Sequence, residues 1–324
     1  MNSMGWVLLV FVASVVTIAV ALNRGWASSL AMDLPNNRSL HSQPTPRVGG
    51  VLVMPWVLLA ALVLTGDLGL VLLAASIVLV SFADDRFGVP VIARFIAHLV
   101  LSLVAVFHLA VDGLPLLILL ALAITWMTNL YNFMDGADGL AGGMAVIGFS
   151  SYAVAALQSG DLSIAQFSLC IVGGALGFLI FNFPPARIFM GDAGAITLGF
   201  LAAVLGLAGW KSGAWTSWFP PLVFSPFIVD ATVTLMRRTL RGECVWLAHR
   251  EHSYQKLVRT GWSHRKTAFA EYGLMLTVSL LSLALLRSEG VVVVWALVLI
   301  AAAYAIIIVA IDVKWKAFEL LSSK

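Results

Sequence analysis

Four polar clusters interrupt a chain that is otherwise almost continuously apolar. They are Asp84-Asp85; Asn132 with Asp135 and Asp138; Asn182 followed by Gly191-Asp192; and His249-Arg250-Glu251-His252. Adjacent carboxylates are hard oxygen donors that can help to hold a hard cation or accept a proton. Asn132, Asp135 and Asp138 recur at i, i+3 and i+6, a spacing that predicts three oxygen-bearing side chains near one helical face. Gly191 and Gly194 flank Asp192 and would let a phosphate or a metal approach the backbone at a helix N-terminus. Arg250 and the two histidines offer the cationic, hydrogen-bonding groups that a diphosphate requires.

Plainer readings stand beside these. Asp84-Asp85 reads equally as a solvated helix end, and Asp192 sits where an N-cap belongs. The segment from Asp33 to Gly50, with His41 and Arg47 among prolines and glycines, is either an ordinary turn or an anion-binding loop. A zinc site at His249 and His252 lacks a third ligand and any cysteine partner. His98, His108 and Asp230 are lone polar residues, for which packing or supporting roles are expected.

The elements that must position these groups follow from composition. The 324 residues are 61% hydrophobic and only 11% charged, against about a quarter charged in a soluble domain. Apolar runs near the roughly 20 residues needed to cross a bilayer recur along the whole chain. The expectation is a single all-α polytopic membrane domain over residues 1–324, with about eleven transmembrane helices. Their approximate bounds are 5–22, 49–65, 68–83, 95–112, 115–131, 142–158, 163–182, 194–210, 218–236, 268–286 and 291–311. The first has no basic start and no convincing cleavage site, and reads as a retained helix rather than a signal peptide. Cys170 and Cys244 have neither pairing nor metal-ligand spacing.

Charge decides the expected orientation. Of the 19 Lys and Arg residues, 17 lie in the loops that follow odd-numbered helices or in the C-terminal tail, and only Lys211 and Arg287 lie in the other set. The positive-inside rule then predicts a periplasmic N-terminus, a cytoplasmic C-terminus and cytoplasmic odd loops. All four clusters fall in the odd set, so one shared site on the cytoplasmic face is expected. Carboxylates held at a membrane boundary are costly, which makes them functional candidates. The basic residues are accounted for by topology, so no nucleic-acid partner is expected. An ion-coupled secondary transporter is the alternative from another class; it would place carboxylates mid-helix within inverted repeats, and no repeat is visible.

Read in order, PNNRSLHSQPTPRVGG, FADDRFG, NLYNFMDGADGLAGG, FNFPPARIFMGDAG and the His249–His252 loop resemble the motifs of the polyprenyl-phosphate N-acetylhexosamine-1-phosphate transferases (glycosyltransferase family 4). Five ordered motifs cover roughly residues 33–262. The resemblance implies transfer of an N-acetylated sugar-1-phosphate from a UDP-sugar to undecaprenyl phosphate, with release of UMP, at the bacterial cytoplasmic membrane. It implies Mg2+ as cofactor, with Mn2+ as a substitute, held by Asp192 with Asn182 nearby. Asp84 and Asp85 would position or deprotonate the lipid phosphate. Asn132, Asp135 and Asp138 would line the nucleotide pocket, and Arg250 and His252 would contact the diphosphate. Gly191, Arg47 and His41 complete the expected substrate-binding set. Expected partners are undecaprenyl phosphate, the UDP-N-acetylhexosamine, membrane lipid, downstream glycosyltransferases and a second copy in a homodimer. The peptidoglycan branch, which transfers phospho-MurNAc-pentapeptide, carries a lysine where this chain has Gly88 and histidines where it has Tyr254 and Gln255. These departures point instead to initiation of O-antigen or a similar surface polysaccharide, from UDP-GlcNAc or a 6-deoxy sugar such as UDP-N-acetylfucosamine or UDP-N-acetylquinovosamine.

Overall fold

A computed structural model describes residues 2–35, 40–41, 43–244, 247 and 249–322. Residues 36–39 and 42, which belong to the proline-rich motif, lie outside the described set, as does Trp246. The helices are α1 (Ser3–Asn23), α2 (Trp26–Leu30), α3 (Gly49–Thr65), α4 (Leu68–Phe87), α5 (Val91–His108), α6 (Leu114–Phe133) and α7 (Leu140–Ser159). They continue as α8 (Leu162–Asn182), α9 (Asp192–Lys211), α10 (Phe219–Val223), α11 (Ser225–Leu240), α12 (Ser253–Arg259), α13 (His264–Ala284) and α14 (Val291–Ser322). One short antiparallel pairing, β1 (Met32–Asp33) with β2 (Thr45–Pro46), closes the loop before α3.

Among the described residues nine helices are long and apolar enough to cross a membrane, and α3 is an apolar helix just below that length. The expected span 218–236 is corrected: it divides at Phe224 into α10 and α11. Pro226 has no N–H to donate to the carbonyl of Leu222 and its ring crowds that turn, which favours a break there. The expected end of the third span at residue 83 also moves. Charge ended the hydropathy run, but the helix continues to Phe87, where Gly88 adopts a left-handed φ of 70° and its N–H closes on the Asp84 carbonyl. Asp84 and Asp85 therefore belong to the last helical turn.

The most enclosed spans are α7, α8 and α9, while α1, α5 and α14 are mostly exposed. Lipid tails are as apolar as leucine, so helices associate in a bilayer through close packing rather than hydrophobic transfer. Gly173 and Gly177, four apart on α8, permit this against α1. A Cβ on either would lie 2.7 or 2.8 Å from the carbonyl oxygens of Val7 and Phe11.

Candidate active site

Backbone pairing brings distant motifs together. Phe189 N–H donates to the Pro46 carbonyl, and the N–H groups of Gly49 and Gly50 donate to Phe189 and Met190 at 2.9 and 2.8 Å. The start of α3 thereby lies against the start of α9. Gly50 and Gly194 meet backbone to backbone, so closely that a Cβ on Gly50 would fall 2.1 Å from the Gly194 nitrogen. This contact sets Arg47 beside Gly191 and Asp192.

The carboxylates of α4 complete the junction. Asp85 is buried, and its Oδ2 accepts the Ala193 N–H at 3.0 Å at the first turn of α9. The Arg47 guanidinium donates to the Asp85 carbonyl at 2.9 Å and lies 3.6 Å from Asp85 Oδ1, a buried oxygen with no hydrogen bond of its own. Asp84 Oδ1 accepts the Val89 N–H at 2.7 Å. Arg94 Nη1 donates to Asp84 Oδ2 and, at 3.1 Å, to Asp192 Oδ2. Asp192 is thus the first residue of α9 with Gly191 at the cap position, and its side chain does not cap the helix. The N-cap alternative fails because Arg94 draws the carboxylate sideways toward Asp84.

Arg47, Gly191 and Asp192 of this junction border a polar cavity of about 370 Å3 at one end of the bundle. Asn132, Asp135, Asp138, Asn182, Gly191, Asp192, Arg47 and His41 all line it. The expected helical face is corrected in its cause. α6 ends at Phe133, so Asp135 and Asp138 reach the cavity from the turn 134–139 and not from helical periodicity. Asp138 Oδ2 accepts the Ala186 N–H at 3.0 Å, and its Oδ1 lies 3.3 Å from His264 Nδ1. Asp135 is enclosed by protein and faces Asp192, Asp85 and Asp138, so burial first and those like charges second hold its carboxyl well above the usual range. Asn182 ties two loops, accepting from Gly139 N–H at 2.8 Å and donating to the Ile188 carbonyl at 2.9 Å.

Arg250 and His252 do not reach this cavity. His252 is buried at the start of α12, its Nδ1 3.8 Å from Asp230 Oδ1 and its ring parallel to Tyr254. Arg250 lines a separate hollow. His249 is held to a pKa of about 4, chiefly by burial and then by His252 and Arg238, so it is neutral at physiological pH. From this loop region the cavity instead receives Gln255 and, from the start of α13, His264.

The donor set suits a hard divalent cation. Asp135, Asp192 and Asp85 are all-oxygen donors whose mutual repulsion a cation would relieve. Among the described residues no three side chains converge with ligating geometry, and Arg94 supplies the local positive charge.

Residues 68–209, from the start of α4 nearly to the end of α9, match the model of the family described as glycosyl transferase family 4. A Bacillus subtilis (strain 168) relative, "Probable undecaprenyl-phosphate N-acetylglucosaminyl 1-phosphate transferase", is 30% identical over 293 residues, covering 82% of this chain and 81% of its own length. This chain belongs to glycosyl transferase family 4. The "Decaprenyl-phosphate N-acetylglucosaminephosphotransferase" of Mycolicibacterium smegmatis is 29% identical, over 76% of this chain and 75% of its own. A "Phospho-N-acetylmuramoyl-pentapeptide-transferase" of Listeria monocytogenes is 27% identical, over 72% and 75%. The member described here is accordingly a multi-pass membrane protein of a phospho-sugar transferase family.

Two groups at the site escaped sequence reading. Arg94 was assigned to a loop, although an arginine followed directly by an apolar run is itself a signal of function at a membrane boundary. His264 opens α13 and has no motif to mark it; only the fold brings it to Asp138.

Proposed function

We propose that this protein transfers an N-acetylhexosamine-1-phosphate from a UDP-sugar to undecaprenyl phosphate, giving the lipid-diphospho-sugar and UMP. The observation that carries this reading is the polar cavity itself. It gathers four aspartates, Arg47 and His264 at one end of a membrane-spanning bundle. A second, almost wholly apolar groove of about 400 Å3 runs beside α6 from Leu116 to Leu130, against α9, α10 and α11. It ends within a turn of Asn132, where a polyprenyl chain would deliver its phosphate to the polar cavity.

In this reading an oxygen of the acceptor phosphate attacks the sugar-bearing phosphorus. The bond to the bridging oxygen breaks, and UMP leaves with that electron pair. The acceptor is already an anion, so no base is required. Phosphoryl transfer depends mainly on position and charge compensation. Arg47 and Arg94 meet the phosphates. Asp84 orients Arg94 and Asp85 anchors the start of α9, so both carboxylates act by fixing Asp192. Asp138, held by His264, lines the nucleotide end. A bound Mg2+ would be held by Asp192 and Asp135, braced by Asn182, and would neutralise developing charge on the phosphates.

The full-length relatives named for N-acetylglucosaminyl transfer support UDP-GlcNAc as the donor, and the departures at Gly88, Tyr254 and Gln255 support surface-polysaccharide initiation over peptidoglycan synthesis. The charge asymmetry of the loops supports a periplasmic N-terminus and a cytoplasmic catalytic end in the bacterial inner membrane. Cys244 is exposed on that face while Cys170 is buried, so a membrane-impermeant maleimide should label Cys244 only after the inner membrane is opened. The decisive assay incubates purified protein with undecaprenyl phosphate, Mg2+ and a panel of UDP-sugars and measures UMP. Release with UDP-GlcNAc or a 6-deoxy relative is expected; silence with every sugar would sink the reading.

A further inference from the structure

A second charged cavity lies outside the site just described. It measures about 480 Å3 and is enclosed by the end of α11, the segment before α12, α12 itself and the last turns of α14. Arg237, Arg241, Arg250, Lys256, Arg259 and Lys316 line it, against Glu251, Asp312 and Glu319, an excess of three cations. Some of that charge is compensated internally. Arg237 and Lys256 share Asp312 at 2.7 and 2.6 Å, and Arg241 pairs with Glu243 and Glu251.

Arg250 and Arg259 are different. They take no part in the ion pairs that hold Arg237, Arg241 and Lys256. Arg259 donates to the Arg250 carbonyl at 3.4 Å and lies over Trp315, 4.3 Å from its ring centre. Burial, and then the charge of Arg250, hold Arg259 below the usual guanidinium range. Glu319 and Glu251 offset part of the charge on Arg259, and the excess of cations around the pair favours an added anion.

The depth of the hollow narrows the chemistry. α14 has 32 residues, about 48 Å of helix at 1.5 Å per residue, whereas a bilayer's hydrocarbon core is about 30 Å thick. Its sequence is uncharged from Val291 to Ile311 and meets its first charge at Asp312. The hollow therefore begins where the apolar stretch ends. Trp315 stands there, and Trp262 lies between Lys266 and Lys314 at 4.2 and 4.7 Å, aromatic and basic groups of the kind that sit at lipid headgroups.

We propose that this hollow binds a phosphate-bearing anion between Arg250 and Arg259, with the headgroup of an anionic phospholipid as its resident form. The site is separate from the catalytic cavity, with which it shares no lining residue. α12 joins the two. Lys256 and Arg259 face the hollow, Gln255 lines the catalytic cavity, and Tyr254 donates to the Phe133 carbonyl at the edge of the 134–139 turn. A phosphate in the hollow would hold α12, and with it Gln255 and the turn that carries Asp135 and Asp138.

The test uses the full-length protein in neutral detergent and measures affinity for short-chain phosphatidylglycerol, phosphatidylcholine and inorganic phosphate at matched ionic strength. Phosphatidylglycerol should bind the native protein at least tenfold more tightly than phosphatidylcholine. R250Q/R259Q should weaken it ten- to a hundredfold, the loss of two charge-assisted contacts, while R24Q, a distant exposed arginine, should not. Hydrogen exchange over residues 253–259 should slow on binding. Comparable, variant-sensitive binding of inorganic phosphate would assign the same site to a soluble phosphate. If the double variant does not fold, R250Q and the exposed K316Q are read separately, each expected to weaken binding several-fold. Unchanged affinity in the variants, equal binding of phosphatidylcholine, or protection confined to other helices would overturn the proposal.

Discussion

The contact between Gly50 and Gly194 makes a demanding prediction, because one methyl group tests both the fold and the site. In Gly50→Ala the new Cβ would lie 2.1 Å from the Gly194 nitrogen and 2.2 Å from its Cα, where ordinary contact begins at 3.4 Å. The obstacle is backbone on both sides, so no side-chain rotation relieves it. The starts of α3 and α9 must separate by about 1.3 Å, which overpacking data place at about 1–3 kcal/mol. The same displacement moves Arg47 away from Asp85, and the first turn of α9 away from the Asp85 carboxylate that binds it at 3.0 Å. A misplacement of about 1 Å at reacting groups costs on the order of a hundredfold in rate. The expected result is a melting temperature lowered by a few degrees in detergent and UMP release lowered by about a hundredfold. Gly273→Ala is the control. It replaces a glycine within α13 around which a Cβ meets nothing within 4 Å, so helix propensity should make it neutral or slightly stabilising. Near-native activity in Gly50→Ala would refute the claim that this backbone contact sets the site.

Arg94→Ala should leave Asp84 and Asp192 facing without their shared cation, abolishing UMP release while Arg94→Lys retains a fraction; equal activity of the two would refute the bridging role. Asp135→Asn should lower activity yet stabilise the ligand-free protein by about 1 kcal/mol, since one of a cluster of like charges is removed. Asp135 has a raised folded pKa, so its ionisation cost is absent below the unfolded value of about 4 and grows as pH rises toward the folded value. The stabilisation by Asp135→Asn should therefore vanish near pH 4 and widen toward neutrality, and a pH-independent difference would contradict this cause. His264→Ala should raise the KM for the UDP-sugar more than it lowers kcat, because His264 holds Asp138 at the nucleotide end; a pure kcat effect would place it elsewhere.

Much of this protein was legible along the chain because hydropathy, charge and motif spacing are local properties. Apolar runs announced the membrane spans, and loop charge announced one shared end for the acidic clusters; Asp135, Asp138 and Asp192 line one cavity, and Arg94 ties Asp84 to Asp192. Family membership was equally legible in five ordered motifs. Boundaries were less so. Charge marked residue 83 as a span end, but the helix obeys the backbone conformation of Gly88 and continues through both carboxylates. Proline placement, rather than hydropathy, divided α10 from α11.

Only the tertiary structure decided which side chains face which. The bridge from Arg94 to Asp84 and Asp192 joins positions up to 98 residues apart, and His264 meets Asp138 across 126. Nothing local in either segment encodes its partner, because the pairing depends on how α4, α5, α9 and α13 pack. The same packing removed Arg250 and His252 from the cavity their motif suggested, burying one against Asp230 and turning the other into the basic hollow by α14. Residue types set what chemistry is available here; the close approach of glycine backbones between α3 and α9 set where it converges.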